Sequence, residues 1–154
     1  MKTLILITSL LISSLSAEVI SQELDIKLAS KSFLSGDAIR IDKVFSTSEG
    51  LEIGDTVSII GKYRLDTRKS AKLSLFLTQF EGDGLEEVDP GQRILAKEGW
   101  HNFKASITIK HKGYLHLTFY DVDSGKPFGG VYFGTNKQVE AMPKNLTAHY
   151  NKKR

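Results

Sequence analysis

Residues 110–134 read KHKGYLHLTFYDVDSGKPFGGVYFG. Leu115, Leu117 and Phe119 alternate with Tyr114, His116, Thr118 and Tyr120. Successive side chains of a strand point to opposite faces, so strict apolar alternation marks a strand with one buried face. The stretch predicts two antiparallel strands around the turn Asp123-Ser124-Gly125. Its second face is unusual. Two tyrosines and a histidine stand where a wet strand face normally carries Lys, Glu and Ser.

The same alternation recurs outward along the chain. ELDIKL alternates Leu24, Ile26 and Leu28, and AIRIDKV sets Ile39 and Ile41 against Arg40 and Asp42. TVSIIGKYRL places Val57, Ile59, Gly61, Tyr63 and Leu65 on one side, and AKLSLFLTQF does the same with Ala71, Leu73, Leu75 and Leu77. QRILAKEG is a weaker strand, and WHNFKASITIK aligns Phe103, Ala105, Ile107 and Ile109. Turn signals separate them: SGD at 35–37, EGLEIGD at 49–55, DTRKS at 66–70, EGDG at 81–84 and DPG at 89–91. Helical periodicity is almost absent from this part. Strands at short intervals with no helices between them predict an all-β fold, an antiparallel β-sandwich of jelly-roll type.

The chain has 154 residues and no Cys. It opens MKTLILITSLLISSLSA, with one early charge, an apolar run from Leu4 to Leu15 and small residues at Ser16 and Ala17. That is the layout of a signal peptide over 1–17. The run is too short for a hydrocarbon layer of ~30 Å. The alternative is an uncleaved N-terminal anchor. Residues 18–36 are expected to form an N-terminal arm or an extra strand, 37–142 the β-sandwich domain, and 143–154 a basic, frayed tail. Export without disulfides suits a bacterial periplasm or exterior. Net charge is +3, falling to about +2 without Lys2. A nucleic-acid footprint needs a clustered basic face, which this charge and one frayed basic tail do not make, so no nucleic-acid partner is predicted. No membrane span is expected after cleavage.

Register decides which side chains share a face. His111-Lys112-Gly113 fits a three-residue hairpin ending in a left-handed Gly. It predicts the pairs Thr108–His116, Ser106–Thr118 and Lys104–Tyr120. Asp123-Ser124-Gly125 fits the same loop and predicts His116–Tyr132, Thr118–Gly130 and Tyr120–Phe128. On the core face Leu117 then meets Ile107 and Val131. The outer face becomes a notch floored by Gly130 and walled by Tyr120, Phe128 and Tyr132. Lys104, His116, Thr118 and Ser106 stand beside it as hydrogen-bonding groups. A sugar's C–H face stacks on such rings and its hydroxyls bond to such neighbours. The competing expectation is structural. Aromatic cross-strand pairs stabilise sheets by about 0.2–1 kcal/mol each, and a loop or arm over this face makes it a second small core.

Asp83, Glu86 and Asp89 share one loop, and Asp123 lies in another; they are the calcium candidates. Neither loop has the twelve-residue calcium pattern, so solvated turns are the simpler expectation, with no cofactor. His101, His111, His116 and His149 match no metal spacing. No Cys nucleophile and no GxSxG elbow is present. Trp100, the sole tryptophan, has two readings, extending the ligand face or sealing an end of the sandwich, and sealing is the expectation because large rings usually bury.

The succession IRIDKV, IGDTVSIIGKYRL, AKLSLFLT, GWHNFKASITI, GYLHLTFYD and GGVYFG resembles the jelly-roll domains of carbohydrate-binding modules and galactose-binding-like proteins. The resemblance spans residues 38–135 and is one of strand rhythm. It implies a non-catalytic domain, often with structural calcium. The expected function is therefore an exported binding module with carbohydrate on the aromatic face. The alternatives are an envelope structural domain contacting a partner protein, and a small hydrolase using the acidic loop 81–89.

Overall fold

The computed structural model describes residues 21–85 and 88–150. The proposed signal segment 1–17, Glu86 and Glu87 lie outside the described residues. Seven strands and one short helix follow in order: β1 (Gln22–Leu24), β2 (Lys27–Ser32), β3 (Ala38–Ser46), β4 (Thr56–Gln79), β5 (Arg93–Thr108), β6 (Gly113–Tyr120), β7 (Pro127–Gly134) and α1 (Asn136–Ala141). Every strand pairing is antiparallel. The strands form one sheet in the order β1-β3-β4-β6-β7-β2, with β5 beside β4. The chain is all-β and antiparallel, as its alternation predicts. The strands run as one curled sheet with no hydrogen-bonded break dividing it in two.

The curl comes from β4, which is 24 residues long. Its first half is flanked by β3 and β5, its second half by β5 and β6. Between the halves lies a crease. Leu65 pairs with Gly99 and Ser70 with Lys97, so residues 66–69 of β4 face Glu98 alone on β5. Such a mismatch bends a strand and raises its twist. Gly99 accommodates the bend with a φ of +92°, a left-handed value that a Cβ disfavours. The Asp37 carboxylate fastens the crease. It accepts the backbone N–H groups of Asp66 (2.8 Å) and Thr67 (3.1 Å) and the Thr67 hydroxyl (2.6 Å).

Folding at the crease brings the inner faces together. Val57, Ile59 and Leu65 meet Leu73, Leu75, Leu117, Phe119, Val131 and Phe133 in one core. Each side chain of this kind stabilises the fold by about 1.5–3 kcal/mol when fully buried. The segment 18–36, expected as an arm or extra strand, supplies two strands. β1 pairs with β3 and β2 with β7, at opposite ends of the sheet order.

The predicted β5–β6 hairpin is not formed. β6 pairs with the second half of β4, so His116 lies opposite Phe76, Thr118 opposite Ser74 and Tyr120 opposite Lys72. The segment after Thr108 crosses between the two halves of the sheet. Gly113 is needed there for close approach: a Cβ would strike Leu77 and the Thr78 carbonyl. The β6–β7 register is as predicted at His116–Tyr132, Leu117–Val131 and Thr118–Gly130. It slips beyond Phe119, where Tyr120 meets Pro127 instead of Phe128.

Candidate functional site

The predicted ligand face is only partly assembled. His116, Thr118, Gly130 and Tyr132 stand together, with Tyr120 at the end of their row. Lys104 does not join them. It lies opposite Ile60 on the far side of the crease, because β5 pairs with β4 rather than β6. Ser106 is displaced with it, opposite Ser58. Phe128 faces the other way. The slip after Phe119 turns it into the main core, where its ring stacks on Phe119 at 5.7 Å and 11°.

The face is also covered. After β7 the chain turns into α1, whose start is fixed by reciprocal bonds between Thr135 and Gln138. Gln138 then donates to the carbonyls of Gly50 and Leu51. The Ser30 hydroxyl donates to the Lys144 carbonyl. These ties lay residues 139–150 over the outer side of β6 and β7. Met142 and Tyr150 are buried against Tyr132, with Val139, Leu146, Tyr114 and Ala29 around them. The tail expected to fray is thus packed down as far as Tyr150.

Tyr150 fills the predicted notch. A Cβ on Gly130 would lie 2.9 Å from the Tyr150 hydroxyl. That hydroxyl is bonded to Thr118 Oγ1 at 2.7 Å, and Thr118 Oγ1 to His116 Nδ1 at 2.7 Å. Tyr132 reaches Thr78 Oγ1 at 2.9 Å. Burial, reinforced by His149, pulls the His116 pKa down to about 3, so the ring is neutral. Burial likewise pushes the Tyr150 phenol up. Buried, satisfied polar groups of this kind specify packing. The open ligand face read from the sequence is a second core.

The acidic candidates stay apart. Asp83 accepts the Leu85 N–H at 2.9 Å. Asp89 pairs with Lys110 at 2.9 Å, and this bond holds its carboxyl below the usual carboxylate range. Asp123 lies in the β6–β7 turn, and Glu86 lies outside the described residues. No group of three His, Asp or Glu side chains converges as a metal site among the described residues. A largely apolar cavity of about 360 Å³ opens between Leu51, Ile53, Leu77, Phe80 and Ile109, with Glu52, His111, Lys112 and Gln138 also lining it. Asp83 and Asp89 do not line it.

The uncovered polar surface lies elsewhere, on the outer side of β4 and β5. Trp100 does not seal an end; it is 56 % exposed, with Arg64 opposite and its guanidinium 6.0 Å from the ring centroid. Asn102 faces Lys62 in the next row, and Lys104 faces Ile60 in the row after. Across the crease, Leu95 (60 % exposed) pairs with Lys72, and Lys97 with Ser70. Arg93 bonds Ser74 and stands over Phe76 at 5.4 Å. The basic residues therefore do cluster, although the sequence shows no run of them. Each occupies an alternate position of one strand, and pairing two such strands gathers them. The signal was the outward parity of IGKYRL and AKEGWHNFKA.

Compared with known proteins, the chain matches no family model, and neither a curated protein nor a solved structure shows significant similarity to it.

Proposed function

We propose that the chain is an exported, non-catalytic binding domain that takes a carbohydrate on the outer face of β4 and β5. The observation that carries this reading is Trp100. A large ring 56 % exposed on a sheet face is a ready platform for the C–H face of a pyranose. Asn102, Lys62 and Arg64 stand beside it with donors for hydroxyl or ring oxygens. The apolar opening segment, with small residues at Ser16 and Ala17, supports export.

Trp100 is the sole tryptophan, so its fluorescence reports on the site directly. Titration of the purified protein across a glycan panel is expected to shift or quench that emission. Trp100→Ala is expected to weaken binding, measured calorimetrically, by roughly tenfold or about 1.4 kcal/mol. Unchanged affinity in that variant rules out this face. A chelator arm separates any contribution of calcium.

A second reading has its own observation. Ile53 and Phe80 are 57 % and 54 % exposed and both line the largely apolar cavity. Exposed apolar side chains around a cavity suit a protein partner, and an envelope protein is the class proposed. Loss of a cross-linked partner in Phe80→Ser, with glycan binding intact, would support it.

A further inference from the structure

We propose that the ligand of this face is an acidic polysaccharide, laid along the β4–β5 ribbon and held by Lys62, Lys72, Lys97 and Lys104. The proposal deepens the carbohydrate reading and rests on it. The paired rows of the ribbon carry six cations: Lys62, Arg64 and Lys72 from β4, and Arg93, Lys97 and Lys104 from β5; Arg68, tied to Asp121, and Lys69 lie in the unpaired crease. Asp66 and Glu98 are the carboxylates beside them at the crease. Arg64 is engaged with Asp66 at 2.6 Å. The four lysines have no ion-pair partner among the described residues.

On the neighbouring β1–β3 side the cations are neutralised, Arg40 by Asp42 and Lys43 by Glu23. β4 and β5 together hold eight cations and two carboxylates, a formal +6 against +3 for the whole chain. Like charges held close repel, and an anionic ligand relieves that repulsion.

The shape of the patch selects the ligand class. The cations follow the strands as a strip. At about 3.3 Å per residue, Lys97 and Lys104 lie roughly 20 Å apart along β5. A strip of that length suits a chain of repeating charged units. Lysine ammonium groups act as rotatable point charges, which suits carboxylates or sulfates scattered along a polymer. Trp100, Leu95 and Ile60 lie between the cations and supply apolar contact for sugar rings. Single-stranded nucleic acid calls for successive aromatic platforms, and here one exposed tryptophan serves. A membrane surface calls for a continuous apolar face, and here cations separate the three apolar side chains.

The test compares dextran sulfate and alginate with neutral dextran, using the full purified protein. Binding is expected to the two acidic polymers and not to dextran, and to fall roughly tenfold between about 50 and about 200 mM salt. Lys62→Gln/Lys104→Gln is expected to weaken it at least tenfold with an unchanged melting temperature. Lys31→Gln/Lys137→Gln removes two exposed lysines outside the ribbon and is expected to leave binding unchanged. Equal loss in both double variants overturns the site. Binding to neutral glycans with no preference for acidic ones overturns this inference and keeps the carbohydrate reading. Binding to no glycan overturns both. Tighter binding to single-stranded DNA or to phosphatidylglycerol vesicles than to either acidic polymer assigns the strip to another polyanion and also overturns the inference.

Discussion

His116 sits among Thr118 on its own strand, Phe76 on β4, Tyr132 on β7, and Tyr150 and His149 from the covering segment. None is a carboxylate, so a charged imidazole has nothing to compensate it. Its pKa is near 3 when folded and 6.5 when unfolded. The unfolded chain therefore binds the proton first, and stability falls as pH drops from about 6.5 towards 3, by up to about 1.4 kcal/mol per pH unit. Denaturation of wild type against His116→Leu checks this. The acid slope is expected to flatten in the variant, and equal slopes would refute the assignment. At Gly130 a Cβ would lie 2.6 Å from both the Leu117 carbonyl and Thr118 Oγ1. Gly130→Ala is expected to cost about 1–3 kcal/mol in chemical denaturation, because backbone on one side and Tyr150 on the other must yield. Tyr150→Phe removes one buried hydrogen bond and is expected to cost about 1 kcal/mol. The His116–Tyr132 and Thr118–Gly130 rows were legible, since alternation and one glycine define them, but the Phe128 wall was not, because the slip after Phe119 turns it inward. Nor was the occupant of the notch. Tyr150 lies in the polar run NLTAHYNKKR, where no periodicity marks a single buried ring.

Among the elements, β6 shows why partners are harder to read than strands. Its apolar parity fits Leu73, Leu75 and Leu77 of β4 as well as Ala105, Ile107 and Ile109 of β5. A period of two states which face is buried and is silent about whose face it meets. The hairpin loop tipped the sequence reading towards β5. The crease in β4 reverses it, by bringing the second half of that strand alongside β6. The β6–β7 turn was better marked. Asp121 there accepts the Ser124 N–H and hydroxyl, both at 2.9 Å, and Arg68 at 3.1 Å. The Ser124 N–H first, then its hydroxyl and Arg68, pull the Asp121 pKa down to about 2. A carboxylate so depressed favours the native turn above about pH 4, and that contribution fades as pH falls towards 2. Carboxyl NMR titration is expected to place its midpoint near 2, and higher in Arg68→Ala. The covering segment is the third such element. Ending the chain at Thr135 bares Tyr132 and Tyr114. The truncated protein is expected to bind a hydrophobic dye strongly and to melt earlier, whereas unchanged dye binding would mean that the cover is dispensable.

At the scale of the molecule, one crease organises the rest. It folds β4 over a common core and lines up the outward residues of β4 and β5 as a basic strip. Asp37 is buried at that crease and accepts three bonds from residues 66 and 67. Asp37→Ala strands two backbone N–H groups, and is expected to cost about 2–4 kcal/mol in urea denaturation. A loss below 1 kcal/mol would show that the bend holds without it. All-β character and most of the core were open to sequence reading because alternation records burial directly. The strip was not, because it exists only once two distant strands lie side by side. The strand order carries a further consequence for how the protein is made. β2 emerges from the ribosome among the first strands, yet its partner β7 ends at Gly134. Until nearly the whole chain exists, β2 has nothing to pair with, and the long-range closure of the sheet waits for it. For the exported life proposed above, that order is favourable: a chain unable to finish folding during its own synthesis stays a thread for as long as a translocation channel needs one.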